Sequence, residues 1–530
     1  MQALRRSMFW LVIVIAVLVV ILSWLPQMLT MNPDTSYGDE GVIAQAARRV
    51  VLGELPYRDY FSAIPPAAAY WYGGALALFG DTFLGLRIGV LLTACMILVC
   101  SCSVLYRLGC RNASTYLVVV SFLAFFGGPY WFVASHHWLS LAWLLVSLIL
   151  LIPGEGESSP AVYRFQLFAS GSAATIAAFS LQNKGGAWIF AVMIGLLLIG
   201  GKERRRNMLW FLGGVIVTGF SVLTILAALV GMKPLFLQSV WWPLTRYHQT
   251  EGHQEISIFS DLLKNWTNVV TPMPSPGAGY PDWIRYLTWN TGYLGRVIVH
   301  VLPFSGAAAL VYLWRSRLMR RDRAVLLTVF FAAMYLSMLY RIHETTLVFS
   351  ALAAVIPISV VLGENNTFNG VIGRLLTSGW IALFSAIALG FVCIEFLPGI
   401  ATATTAAGTV KTRYAYEAQE LSGVQRYLDQ HRNPNDMIFC YSYVPMYYFL
   451  LQVRNPIPYD ILIYPMNTQE QLDETQAILD HKRCRWIIWN RTSLWGNSFG
   501  QYIDSHYTQR AAFPGVAILE RNVEANENAK

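Results

Sequence analysis

Eleven apolar stretches of about membrane-crossing length recur along this 530-residue chain. They lie at about 9–29, 85–106, 113–131, 138–152, 164–182, 185–200, 208–231, 294–314, 324–340, 346–362 and 375–397. A helical span needs roughly 17–25 residues. Lipid offers the backbone no hydrogen-bond partners, so such stretches must close their own bonds as helices. The pattern predicts an α-helical polytopic membrane protein. Composition agrees: 55% of residues are hydrophobic and only 13% charged, against about 25% charge in a soluble domain. An ordinary soluble enzyme, a disordered chain and a secreted disulfide scaffold are excluded.

A further apolar stretch, 67–80, is short and follows Pro65-Pro66. Charge decides how to count it. If 67–80 does not span, the basic clusters Arg5-Arg6, Arg107 to Arg111, Lys202 to Arg206 and Arg315 to Arg323 fall on one side. If it spans, the last three cross over. The positive-inside rule favours eleven spans, with 67–80 as a helix lying in the interface. The first segment lacks an A-x-A cleavage site and reads as an uncleaved span. The N-terminus is then cytoplasmic, and residues 398–530 lie outside with the loops 30–84, 132–137 and 232–293 and the rims at 182–184 and 341–345.

The net charge of +8 divides unevenly. Residues 1–397 hold 26 Lys/Arg against 17 Asp/Glu, whereas 398–530 hold 12 against 13. The basic excess belongs to the membrane part, which argues for membrane lipids and against nucleic acid as its partner. The charge-rich tail marks a second, water-exposed domain. The seven cysteines show no metal-ligand spacing. Cys440 and Cys484 are the two that an oxidising compartment could pair.

The external loop 30–84 carries the densest chemistry. Asp39-Glu40-Gly41 opens a helix-like stretch (Val42–Leu52), followed by Gly53-Glu54-Leu55-Pro56-Tyr57-Arg58-Asp59-Tyr60, Pro65-Pro66, and an aromatic helix ending Leu78-Phe79-Gly80; Arg87 follows in the next span. Asp39 and Glu40 have two readings: carboxylates that cap a helix and complement its dipole, or a general base held at the membrane surface.

This order of residues resembles the GT-C membrane glycosyltransferases, in the family-39-like branch of protein O-mannosyltransferases and lipid A aminoarabinose transferases. The resemblance is carried by residues 1–110 and is architectural beyond them. It implies a GT-C fold with a small external α/β domain, in a bacterial inner (plasma) membrane. It further implies transfer of a sugar from a polyprenyl-phosphate carrier to a glycolipid such as lipid A, a polysaccharide or a protein, on the extracytoplasmic face and with inversion. The family's loop carboxylate maps onto Asp39 as base, with Glu40 as its supporting partner.

A departing phosphate needs cations. Lys184 follows Gln182-Asn183 where a span emerges; Arg341 and His343 sit beside Glu344 at another rim; Arg58 lies in the first loop. Each has a plainer reading as a snorkelling side chain, a self-contained ion pair or a headgroup contact. Tyr57, Asp59, Trp241 and Trp242 are candidates for shaping the pocket or stacking on sugar. Relatives often place a carboxylate near 132–137, sometimes at a metal, whereas this chain has His136-His137. The pair is a candidate acceptor, acid/base or divalent-metal site, or a pair of interfacial histidines beside an aromatic belt.

The tail predicts helices at about 414–431 and 468–481 and strands at Met437–Tyr441, Arg485–Trp489 and Val516–Glu520, hence a small parallel or mixed sheet. No catalytic set is visible in it, which leaves acceptor binding or support as its expected role. Two other classes compete with the enzyme: a transporter or flippase of lipid-linked sugars, which predicts ionisable groups at mid-membrane, and a non-catalytic envelope assembly protein.

Overall fold

The computed structural model describes residues 2–31, 36–126, 132–153, 159–199, 201–246, 282–339, 344–364, 371–394, 401–412, 415–462, 467–490 and 498–522. Each predicted span is occupied by helix. In chain order these are α1 (Gln2–Trp24), α4 (Phe83–Arg107), α5 (Ala113–Phe126), α6 (His136–Leu151), α7 (Pro160–Ser180), α8 (Gln182–Ile199), α9 (Arg204–Val230), α11 (Asp282–Ser316), α12 (Arg321–Leu336), the pair α13 (Glu344–Ser350) and α14 (Leu352–Glu364), and α15 (Val371–Ile394). Six stretches among the described residues are long and apolar enough to cross a membrane; shorter apolar helices include His136–Leu151 and Leu352–Glu364. Bulky apolar residues such as Phe220 and Ile216 on α9 face outward, as lipid-facing residues do.

Small residues let the helices meet. A Cβ on Gly214 of α9 would lie 2.8 Å from the Phe168 carbonyl carbon, and one on Gly171 of α7 would lie 3.0 Å from Val215 N. The two glycines therefore bring the α7 and α9 backbones together. Hydroxyls add short bonds between helices: Ser147 and Ser170 are 2.8 Å apart, and Trp188 Nε1 donates to Ser147 Oγ at 2.8 Å. This is the packing expected where lipid supplies no hydrophobic drive for helices to associate.

The first external loop folds into two helices, α2 (Gly41–Val51) and α3 (Ala67–Phe79). At 1.5 Å per residue the 13 residues of α3 extend about 20 Å, short of a 30 Å hydrocarbon core. Gly80, at φ +100, ends α3 in a conformation that suits glycine. After α9, α10 (Met232–Phe236) continues through a π-helical turn (Leu237–Trp241) into Trp242–Thr245.

The tail begins with an unforeseen hairpin, β1 (Ala401–Thr405) and β2 (Gly408–Thr412). Then come α16 (Ala415–His431), β3 (Ile438–Tyr441), α17 (Met446–Leu450), α18 (Gln469–His481), β4 (Trp486–Asn490), α19 (Ser498–His506), β5 (Tyr507–Ala512) and β6 (Val516–Arg521). The sheet order is β3-β4-β6-β5, with β3 and β4 parallel and the other pairs antiparallel. Side chains alternate between faces with the strand period of two. Ile438, Cys440, Trp486, Ile488 and Ile518 pack with Val424 and Leu428 of α16, whereas Phe439, Tyr441, Ile487 and Leu519 pack with Leu472, Leu479 and Phe499. Cys440 and Cys484 are both buried and unpaired, so the disulfide left open by the sequence is not formed.

The tail is bound tightly to the first loop through α2. Arg48 forms an ion pair with Asp81 at 3.3 Å and donates to Gln452 Oε1 and Val453 O at 2.9 and 2.8 Å. Arg49 meets Asp460 and Glu54, each at 2.9 Å, and donates to Ile457 O. Phe61 N–H donates to Pro458 O, and Met31 N–H to Lys411 O.

Candidate functional site

Asp39 and Glu40 are adjacent in sequence but reside in opposite environments. Both belong to the π-helical turn Ser36–Glu40 that leads into α2. Glu40 points inward and is fully buried; Asp39 is exposed. Glu40 makes no side-chain capping bond to α2. Its carboxylate meets Arg87 of α4, itself fully buried, at 2.6 Å, and accepts the Ala134 N–H at 2.9 Å. Arg87 also donates to the carbonyls of Thr30 and Phe132. Tyr72 of α3 completes the clamp, accepting the Ser135 N–H at 3.1 Å. Glu40 is thus a buried structural partner that pins the 132–135 segment, not a carboxylate beside the solvent-exposed site. Arg87 is the residue that sequence reasoning had in view without assigning it this pairing.

That segment leads directly into His136, whose preceding Ser135 caps α6. The His136 and His137 rings lie 4.4 Å apart, and His137 stacks on Phe349 of α13 at 4.5 Å. Lys184, at the start of α8, is 2% exposed; its Nζ donates to Phe349 O at 3.2 Å and lies over the Phe349 ring. Phe349 is therefore the junction between the two histidines and Lys184, a role that sequence did not signal. His136 is within electrostatic reach of both Asp39 and Lys184. Among the described residues its buried Nδ1 has no hydrogen-bond partner.

The remaining candidates separate from this group. Arg58 and Asp59 bind each other, Nε to Oδ1 at 2.9 Å and Nη2 to Oδ2 at 2.8 Å, at the protein surface. Asp59 also accepts the Leu55 N–H. The bond from Arg58 holds the Asp59 carboxyl below its usual range. A phosphate at Arg58 would have to displace Asp59. Tyr57, at φ +71, is buried against Leu226, Val230 and Leu235, and its carbonyl accepts from Gln238. Trp242 is buried with its ring edge-on to Phe61 at 5.3 Å, whereas Trp241 faces outward. These residues lock α10 and its continuation onto the first loop. Arg341 and His343 lie outside the described residues.

Among the described residues no three His, Cys, Asp or Glu side chains gather to hold a metal ion. The His136 and His137 rings are tilted by 36°, and His137 alone stacks on Phe349. The described donors therefore form no set of the kind that holds a metal ion.

One residue of the tail reaches the site. Tyr443, in the turn between β3 and α17, donates its hydroxyl to Asp39 Oδ1.

No family model matches the chain, and no match to a curated protein is found by sequence. Solved structures do match. ArnT from Cupriavidus metallidurans bound to undecaprenyl phosphate aligns over 96% of this chain and 98% of its own, at 13% identity and a TM-score of 0.59. The oligosaccharyltransferase of Archaeoglobus fulgidus, in complex with Zn and sulfate, aligns over 96% of this chain and 73% of its own, at 12% identity and a TM-score of 0.51. The chain has the GT-C fold. At these identities the likeness is one of fold, and it extends over nearly the whole of this chain. In this fold the α6 histidines and the α8 lysine are joined through Phe349.

Proposed function

We propose that this GT-C protein is an inverting glycosyltransferase of the extracytoplasmic membrane face, moving a sugar from a polyprenyl-phosphate donor to an envelope acceptor. The observation that carries this is a fold shared with a structure that binds undecaprenyl phosphate, in which Phe349 joins His137 to Lys184 and Asp39 stands exposed on the first loop. Asp39 is exposed and free of any arginine partner among the described ion pairs, as a base that must meet an incoming hydroxyl requires. Lys184 is held on an uncharged carbonyl and an aromatic face, and among the described residues it forms no ion pair with a carboxylate.

The proposed step is a single displacement. The acceptor oxygen attacks the anomeric carbon as its proton passes to the Asp39 carboxylate. The bond from that carbon to the phosphate oxygen breaks, and the polyprenyl phosphate leaves with the electron pair. Lys184 meets the charge that develops on the phosphate. One in-line displacement inverts the configuration. His136 is proposed to contact the donor phosphate or the sugar. Arg341 and His343 precede α13 in sequence, the helix that carries Phe349, and are proposed as further phosphate ligands. The tail, bound to the first loop through Arg48 and Arg49, forms the outer wall of the site on the extracytoplasmic side.

The test combines two variants. Mass spectrometry of envelope lipids and glycans from a deletion strain identifies the product that disappears. Complementation with the unaltered chain restores it, and complementation with Asp39→Asn, expressed at the same level, does not. Full product with Asp39→Asn removes Asp39 as base. No lost glycan or glycolipid in the deletion strain removes the glycosyltransferase reading altogether.

A further inference from the structure

The tail presents no catalytic set of its own, yet it places one polar atom on the proposed base. Tyr443 lies in the turn after β3, at φ +38, with its ring about one-third exposed. Its hydroxyl donates to Asp39 Oδ1. Two glycines on either side of Asp39 make this approach feasible. At Gly38 a Cβ would overlap the Tyr443 ring, coming within 2.7 Å of its Cζ; at Gly41 a Cβ would lie 2.5 Å from the backbone nitrogen of Met446. The sequence Gly38-Asp39-Glu40-Gly41 is thus cut to admit the turn 443–446 of the tail, and Asp39 is the side chain that meets it. Glu40 anchors the Ser36–Glu40 turn to α4 through Arg87, so the turn that carries Asp39 is held by a membrane helix while the Asp39 carboxylate is held by the tail.

We propose that Tyr443 is a positioning residue for Asp39: its hydroxyl fixes one carboxylate oxygen and leaves the other to take the acceptor proton. Activity then depends on the tail being seated on the first loop, and the site is completed only by residues some 400 positions apart. A carboxylate with two single-bond torsions samples several orientations when exposed; a donor on one oxygen selects one of them. A general base must lie within hydrogen-bond reach of the proton that it removes, and small misplacements of reacting groups carry large rate costs.

This inference rests on the reading of Asp39 as base, and the experiment separates the two. Purified full-length chain is added to membranes of the deletion strain, and the product is followed by mass spectrometry. Affinity for undecaprenyl phosphate is measured separately in detergent. Tyr443→Phe keeps the ring over Gly38 and removes only the hydroxyl. It is expected to slow transfer about 10- to 100-fold, the range for a hydrogen bond to a charged group, with undecaprenyl phosphate affinity within twofold of the unaltered chain. Gly38→Ala, which displaces the ring while Tyr443 remains, is expected to slow transfer similarly. In the Asp39→Asn background, Tyr443→Phe is expected to add no further loss. Tyr443→Phe at the unaltered rate, with Asp39→Asn inactive, overturns the role of Tyr443 alone. Further loss in the Asp39→Asn background, or a parallel loss of undecaprenyl phosphate affinity, overturns it as well. Asp39→Asn at full rate overturns the base and the inference together.

Discussion

The buried pair of Glu40 and Arg87 gives the sharpest quantitative expectation. Both side chains are fully buried, so removing either one leaves a charge in a site of low dielectric. Glu40→Gln keeps the shape and an acceptor for the Ala134 N–H, but strips Arg87 of its counter-charge. Such a loss costs about 3–5 kcal/mol. Arg87→Met leaves Glu40 charged, and the carbonyls of Thr30 and Phe132 lose the guanidinium; the expected loss is again about 3–5 kcal/mol or somewhat more. The double variant carries neither charge. Its remaining cost is that of the two carbonyls, about 1–3 kcal/mol each. The singles should therefore sum to well above the double, with a coupling of about 4 kcal/mol. The assay is denaturant titration of the full chain in detergent micelles, followed by tryptophan fluorescence. Singles that add within error, or Glu40→Gln within about 1 kcal/mol of the unaltered chain, would show that the pair is not the clamp described here. Because the clamp pins the segment leading to His136, both singles should also lose transfer activity at temperatures where they remain folded.

Three further outcomes are expected. Lys184→Met should weaken undecaprenyl phosphate binding by about 10- to 100-fold, the worth of one charge-assisted bond, measured by titration in detergent; unchanged affinity removes Lys184 from the phosphate site. Gly214→Val should destabilise the chain by about 1–3 kcal/mol through overpacking against the Phe168 carbonyl, with the thermal unfolding midpoint in detergent as the readout; an unchanged midpoint would mean that α7 and α9 do not meet there. For Glu520, burial raises the carboxyl pKa, but hydrogen bonds from Arg485 and Arg510 more than offset it and the net shift is downward. A depressed folded-state value means that its contribution is present above the ordinary carboxylate range and is lost as pH falls through the folded value. Glu520→Gln should thus be up to about 1 kcal/mol less stable at pH 7, with the difference lost as pH falls below the ordinary carboxylate range; a gap that widens on acidification refutes the assignment.

The membrane helices were legible because their signal is local. Each is a run of apolar residues, and the charges at Arg107, Lys202 and Arg315 are the signal from which an orientation is expected. The strands at 438, 486 and 516 were legible for the same reason, being apolar runs bounded by turn residues. The hairpin Ala401–Thr412 was not, because Thr, Ala and Gly in alternation carry no strong hydrophobic period. Asp39 could be singled out only through the resemblance of the surrounding loop, because a carboxylate at a loop-to-helix junction serves equally well as a helix cap. That Glu40 plays a different part could not be read, since adjacent residues in a helical turn project about 100° apart and only the fold says which one faces the core.

Long-range partners were the part hidden from sequence. Arg48 with Val453, Arg49 with Asp460 and Tyr443 with Asp39 each join residues some 400 apart, and no pattern within either segment announces the other. The charge arithmetic had treated the tail as a separate, soluble unit, and its count of 12 basic and 13 acidic residues is that of such a unit. Yet two arginines of the first loop are buried in the contact with it. Burying arginines is costly unless each finds its partners, and Arg48 and Arg49 find theirs chiefly on the tail. The basic side chains of α2 are thus stable where they are only when the tail is docked, and the same docking delivers Tyr443 to Asp39. A truncated chain ending near residue 397 should then lose more than an accessory domain: it leaves Arg48 and Arg49 without most of their acceptors, unseats α2, and frees the carboxylate on which the proposed chemistry depends.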